Sequence, residues 1–406
     1  MKKYWKLIMI VGVIVLCLGI FYVQTFHISK QYPDFKINAI TGDNKVIDDI
    51  ILNGEIHEDG YWYTVESFRL TNAGTSYMID EPYFTRLNYV YPSYKIEKLQ
   101  QDYRQFMRGK TEEPNLYYED DKVLAYVNTT SKSTWDYYNK YFEIDIINKE
   151  TRERNATVEV IPNRSGFDFL DIEAVRVIED EVYIITKSHR YNEGDTETII
   201  SQYTFNLLDN KITDDKEIDK TVVPDGDYNS YLEIIPSASN LYEIVLSSFQ
   251  IEYIPSTNDE NDFREELTLQ KLSYYDLKKQ ESKEITLPKQ QGIPLALYEN
   301  FFYFSETRGD GMTIYKFNME TIQIEDEVVI PIFKEYDDYI TYGSISQLSE
   351  EGILYINPNY TGPSTPLYAV NLVTMEIAFE GEINFKNLTE NENDMWINFT
   401  NVEIRQ

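Results

Sequence analysis

One pattern returns six times along this chain and restricts its fold more than any other feature. It is an apolar strand, a short acidic or Gly/Asn turn, and a second strand rich in Tyr, Ile and Val. Asp49 to Ile56 leads through Glu58-Asp59-Gly60 into Tyr61-Trp62-Tyr63-Thr64-Val65. Leu116-Tyr117-Tyr118 leads through Glu119-Asp120-Asp121 into Val123 to Val127, and Ala174 to Ile178 through Glu179-Asp180-Glu181 into Val182 to Ile185. Tyr231 to Ile235 leads through Ser239-Asn240 into Leu241 to Val245, and Pro294 to Tyr298 through Glu299-Asn300 into Phe301 to Phe304. Ile345 to Leu348 leads through Glu350-Glu351-Gly352 into Ile353 to Ile356. Turn formers between two β-prone runs predict a tight hairpin at each place.

A second pattern follows each hairpin from the second unit onward: an aromatic or small residue, any residue, an apolar residue, Asp or Asn, then an apolar residue. It is spelled Phe142-Glu143-Ile144-Asp145-Ile146, Tyr203-Thr204-Phe205-Asn206-Leu207, Tyr315-Lys316-Phe317-Asn318-Met319 and Tyr368-Ala369-Val370-Asn371-Leu372, with Ser273-Tyr274-Tyr275-Asp276-Leu277 as a variant. This predicts a third strand ending in a turn whose backbone the Asp or Asn side chain bonds. A fourth strand follows, as in Val158 to Ile161, Glu284 to Leu287 and Val328 to Ile330. Tyr183, Tyr242 and Tyr303 mark matching places, and the long connection from Ser256 to Glu266 lengthens its unit.

Four short antiparallel strands cannot bury both faces alone, whereas stacking such units around an axis leaves only short edges. The expected fold is therefore all-β: a propeller of six four-stranded blades, or seven if the spare strands Phe35 to Ile40 and Met395 to Ile404 build a composite blade instead of closing the ring. The chain resembles bacterial membrane-anchored β-propeller proteins with kelch-like or quinoprotein-like repeats, from about residue 45 to 385, on its Tyr-x-apolar-Asn/Asp-apolar strand ends. That resemblance implies a fold only. The family's glycine after the turn is mostly missing, no quinone-binding residues have a counterpart, and no cofactor is implied. Ile96 to Met107 interrupts the β pattern with apolar residues Ile96, Leu99, Tyr103, Phe106 and Met107 near helical spacing, and predicts a helix capping the ring between the first two units.

Ahead of the repeats, Lys2, Lys3 and Lys6 precede an uncharged run from Leu7 to Val23. At about 1.5 Å per residue it spans roughly 26 Å, and Trp5, Tyr22 and Phe26 flank it as interfacial aromatics. The lysines predict a single-pass anchor with a cytoplasmic N-terminus and an extracytoplasmic domain in the cell membrane. Tyr22 to His27 offers no small-residue cleavage site, and Leu16 before Cys17 departs from a lipobox. The expected division is a stub and anchor over 1–26, a juxtamembrane linker and closing strand over 27–45, and the propeller over 46–406.

Cys17 is the only cysteine, so the domain that follows holds no disulfide, which fits a bacterial surface better than an oxidising secretory pathway. A formal net charge of −32 repels phosphodiester backbones and makes nucleic acid an unsuitable partner. The three histidines His27, His57 and His189 form no metal-binding spacing, and His57 and His189 are expected at turns. The chain has no GxSxG elbow, P-loop or GxGxxG. Calcium is the one cofactor with candidate ligands: Asp225 and Asp227 in one acidic run, Asp259 and Asp262 in another, neither with the distal Glu of an EF-hand. Arg308-Gly309-Asp310 is expected to serve as a hairpin turn.

No catalytic residue is assigned. The leading expectation is a non-enzymatic binding module that recognises a protein, peptide or cell-envelope ligand and regulates a neighbouring membrane protein. The alternative is a glycan-active enzyme using paired carboxylates in the propeller channel. A third class is a purely structural envelope component.

Overall fold

The computed structural model describes residues 4–405 apart from 31, 59–63, 83–84, 89–90, 132–139, 163–168, 193–194, 224–229, 236–242, 256–262, 288–291, 309–310, 332–343, 359–363 and 387–394. An apolar helix, α1 (Trp5–Ser29), leads into β1 (Asp34–Gly42). Then follow β2 (Ile50–Glu58), β3 (Thr64–Thr71), β4 (Gly74–Tyr77) and the helices α2 (Tyr94–Asp102) and α3 (Arg104–Met107). Four sheets are each built from consecutive strands: β5 (Tyr117–Glu119), β6 (Val123–Ser131), β7 (Lys140–Asn148), β8 (Arg154–Val160); β9 (Phe169–Ile178), β10 (Glu181–Asn192), β11 (Asp195–Asn206), β12 (Lys211–Val223); β13 (Ser230–Ile235), β14 (Glu243–Pro255), β15 (Phe263–Asp276), β16 (Glu281–Ile285); and β17 (Ile293–Tyr298), β18 (Phe301–Arg308), β19 (Gly311–Asn318), β20 (Gln323–Pro331). They are blades 2 to 5. Blade 6 is β21 (Ser344–Leu348), β22 (Ile353–Pro358), β23 (Ser364–Asn371) and β24 (Glu376–Lys386), with β1 added as a fifth, outermost strand. Blade 1 has the order β25-β2-β3-β4, its innermost strand β25 (Met395–Ile404) arriving from the C-terminal end.

Among the described residues six sheets make the ring, and both spare strands go into its closure. Borrowing β25 shifts the first hairpin by one strand. In blades 2 to 6 the repeated hairpin joins the first and second strands, whereas β2 and β3 are the second and third of blade 1. Apolar clusters fill the joins between blades 2 and 3, 3 and 4, 4 and 5, 5 and 6, and 6 and 1. The join between blades 1 and 2 is bridged by the helices. Ser93 caps α2 at the Ile96 N–H, and Tyr103, with φ −127° and ψ 41°, separates α2 from α3. Ile96, Leu99, Phe106 and Met107 are buried against blades 2 and 3, so this apolar face is spent on the ring. Arg69 of β3 grips Glu97 of α2 with bonds of 2.9 and 3.0 Å and donates to Pro92 O at 2.8 Å.

The third strands end in one turn repeated five times. The side-chain oxygens of Asn148, Asn206, Asp276, Asn318 and Asn371 each accept from the backbone N–H groups two and three residues on, at 2.8 to 3.1 Å. In blade 2 the turn residue is thus Asn148, and Asp145, expected in that role, lies three residues earlier and is buried inside β7. Four residues after each Asn or Asp the chain turns left-handed, at Arg152, Asn210, Gln280, Ile322 and Met375, with φ of 55 to 62°. A left-handed L-residue costs about 1–2 kcal/mol, and a β-branched one suffers most. Ile322→Gly should therefore stabilise the protein by about 1 kcal/mol, read as a higher denaturant midpoint; an unchanged or lower midpoint would contradict this.

Strand register corrects two further expectations. Opposite Tyr274, the blade 4 place matching Tyr183 and Tyr303 holds Val245; Tyr242 lies outside the described residues. Phe263 to Glu266, expected in a long connection, belong to β15 and pair with Pro255 to Glu252.

Candidate functional site

The first strands β5, β9, β13, β17 and β21, together with β25, stand closest to the axis, and the last strands of blades 2 to 5 are the outermost. Alternation of strand direction fixes what each end carries. The repeated hairpins and Asn/Asp turns share one face of blades 2 to 6, and the connections between blades share the other. Tyr118, Arg176, Ile235, Ala296 and Gln347 occupy one level around the axis, each paired across the ladder with Ala125, Tyr183, Val245, Tyr303 and Tyr355 in turn.

Two cations lie near this level, close enough for the charge of one to act on the other. Lys95, in the first turn of α2, donates to the carbonyls of Pro114 at 3.2 Å and Tyr117 at 3.0 Å. Arg176 of β9 is half-buried and donates to Val175 O at 3.0 Å. Lys95 is solvent-exposed, with protein atoms crowded around its ammonium. Burial, then the neighbouring Arg176 charge, push Lys95 down to about 8, against a smaller opposite pull from Glu119. The same loss of hydration lowers Arg176. The folded protein therefore holds fewer protons on Lys95 than the unfolded chain between about pH 8 and the ordinary lysine range near 10.4. Its contribution makes stability rise with pH across that window. Buried tyrosines with raised pKa values act in the opposite sense near pH 10, so the test is a difference: between pH 8 and 9.5 in urea titrations the stability change of the native sequence should be more positive than that of Lys95→Met, and equal changes would contradict it.

Toward the inter-blade face the axis turns acidic. Asp171 of β9 lies opposite Lys187 of β10, and Glu173 is the extra residue of a bulge between the Ala174–Ile185 and Ile172–Thr186 pairs. Bulges re-aim side chains, and this one sets Glu173 apart from the ladder. Glu233 lies on β13, the next first strand. Burial raises the Glu173 carboxyl; Lys187 opposes this, and Asp171 and Glu233 add to it. Burial likewise raises Glu233 against the pull of Lys187. His189 accepts or donates one hydrogen bond with Thr198 Oγ1 at 3.1 Å, and burial followed by Lys187 lowers its pKa. Among the described residues no three His, Cys, Asp or Glu side chains are grouped to hold a metal ion.

The residues expected to carry chemistry fall elsewhere. Asp225, Asp227, Asp259 and Asp262 lie outside the described residues, as do Gly309 and Asp310. His57 and His189 lie within strands β2 and β10 instead of at turns, and His57 is buried with Nε2 3.3 Å from Glu55 Oε2. Lys95, Arg176, Glu173 and Glu233 had no sequence signal of their own: Arg176 and Glu173 share β9 with Asp171, Glu233 is the one charged residue of β13, and Lys95 stands at a helix start.

No protein-family model and no curated protein matches the chain. Solved structures similar to it include an ACO/RPE65 chimera, with 10% identity and TM-score 0.42 over 88% of this chain and 96% of that one. Cobalt-substituted Synechocystis ACO has 9% identity and TM-score 0.41 over 87% and 96%. A subtype N10 neuraminidase-like protein of the strain A/little yellow-shouldered bat/Guatemala has 9% identity and TM-score 0.31 over 86% and 98%. At these identities and scores the likenesses assign no activity, and the chain is described by its architecture: an all-β propeller of six blades with one long apolar N-terminal helix.

Proposed function

We propose that this chain is a membrane-tethered, extracytoplasmic binding module that takes a protein, peptide or cell-envelope ligand at its propeller axis and acts on a neighbouring membrane protein. The observation that carries the reading is α1. Its stretch Ile8–Ser29 has a mean hydropathy of 2.4 and is only 6% buried, so it lacks the protein cover that a soluble core helix would have. Contacts between the helix end and blade 1 favour retention over cleavage. Arg86 donates to Thr25 Oγ1 at 3.2 Å and lies 4.9 Å from the Phe21 ring. Tyr32 stacks on Tyr77 at 5.1 Å, and the Tyr77 hydroxyl donates to Pro33 O.

The join also suggests an orientation. Asp34 pairs with Lys386 at the end of β24, on the face that carries the inter-blade connections. That face would lie toward the bilayer, with the Asn/Asp turns pointing away. A second reading, glycan hydrolysis, has one observation in its favour: Glu173 and Glu233 stand on successive first strands with raised pKa values, as an acid of such a pair requires.

A photo-crosslinking residue placed at Gln347, on the axis, should give a discrete adduct in intact cells, and one placed at Leu208, on an outer turn, should not. Equal labelling at both positions, or catalytic turnover of a glycan panel abolished by Glu173→Gln, would overturn the reading.

A further inference from the structure

We infer that Lys95 and Arg176 form a receptor for an anionic group, a carboxylate or a phosphate, borne by the ligand that enters the propeller axis. This rests on the axis being the binding site. The two cations come from different elements and flank the short strand β5. Lys95 is fixed by the Tyr117 carbonyl, and Arg176 projects from β9 at the level of Tyr118. The turn before β5 is tied to β9 by Asn115 donating to Ile172 O, so the spacing of the two cations is built into the fold.

Neither cation lies within 4.0 Å of a carboxylate among the described residues, in a chain with 69 Asp and Glu against 37 Lys and Arg. The nearby acids are already engaged. Glu119, whose charge acts on Lys95, binds Lys149 at 2.8 Å. Glu403 accepts from the Tyr94 N–H and from Asn53. Among the described residues the acceptors of Lys95 and Arg176 are backbone carbonyls, which leave most of the charge of each cation uncompensated.

Two like charges held near one another without a counter-ion, one of them half-buried, destabilise a fold, and one acidic side chain would relieve them. Their presence is explained if the counter-ion arrives with the ligand. Arg supplies a fork that matches carboxylate and phosphate oxygens, and Lys adds a point charge beside it. The surrounding negative field disfavours diffuse anion binding, so such a site selects an anion carried by a ligand that also fits the axis.

The test is calorimetric titration of the full chain in detergent micelles at low ionic strength, once with inorganic phosphate and once with succinate. At least one should saturate a single site, and the one that binds more tightly identifies the anion class. Affinity should fall tenfold or more in Lys95→Gln and in Arg176→Gln, while Arg176→Lys, which keeps the charge, should retain saturable binding and guards against loss of fold. Saturation by neither probe, or equal affinity in the Gln variants, would overturn the inference. If anion binding fails while the Gln347 adduct persists, this inference falls alone; if both fail, the binding reading falls with it.

Discussion

Phe68→Ala should lower the stability of this protein by about 3–5 kcal/mol, the largest loss expected from truncating one core side chain. Phe68 is fully buried on β3 and touches every element that closes the ring. Its ring stacks on Phe35 of β1 with centroids 4.5 Å apart, meets Phe399 of β25 edge-on at 5.5 Å, and lies 6.2 Å from Tyr77 of β4. Aromatic pairs of this kind add about 0.5–1.5 kcal/mol beyond the area they bury. The cavity would open where β1, β3 and β25 meet, so chain ends held only by sheet edges would loosen with it. The space was made by Gly54, where a Cβ would stand 2.4 Å from the Phe68 ring. Equilibrium urea denaturation measures the loss; a change below about 1 kcal/mol would mean that closure rests elsewhere.

Asp145→Ala should cost nearly as much, about 3–5 kcal/mol, for a different reason. Asp145 is 2% exposed and receives a bidentate pair from Arg154 at 2.8 and 2.6 Å and a bond from Lys110. The Lys110 side chain is only 5% exposed and also sits 4.0 Å from the Phe106 ring, so removing the carboxylate leaves a buried ammonium with one carbonyl partner, Phe106 O. Arg154 is half-exposed, and Arg154→Ala should cost far less because water can serve the remaining partners. Replacing Asp145 by Leu and Lys110 by Met together should recover much of the loss, since an apolar pair avoids the desolvation that the ions pay. Denaturant midpoints of the three variants against the native sequence decide this; equal losses in Asp145→Ala and Arg154→Ala would contradict it.

The two sites also show how far sequence reading reached. Asp145 sat in a string that matched the repeated strand end, and alternation alone could not reveal that the real turn residue was Asn148, three positions on. The turn itself was legible, because Asn and Asp at strand ends have a local reason to be there; so were the hairpins, whose turns separate runs of apolar and aromatic residues. Ring closure was legible only as spare strands, since pairing β25 with β2 joins residues at opposite ends of the chain. The axial charges were not legible. Asp171, Glu173 and Arg176 are interspersed with apolar residues on one strand, and what distinguishes Arg176 and Glu173 is the approach of α2 and a bulge, both set by tertiary contacts. The acidic runs at 225–229 and 258–262 stood out in composition, but a charge run carries no information about convergence.

The tether is the claim on which the functional account depends, and thiol labelling in intact cells tests it most directly. With Cys17→Ser removing the native thiol, a cysteine at Leu208, a turn residue 78% exposed, should react with a membrane-impermeant maleimide in intact cells. A cysteine at Lys3 should react only after permeabilisation, and the labelled chain should stay with the membrane through alkaline extraction. Protection of the Leu208 position in intact cells, or recovery of the propeller without α1, would contradict the account.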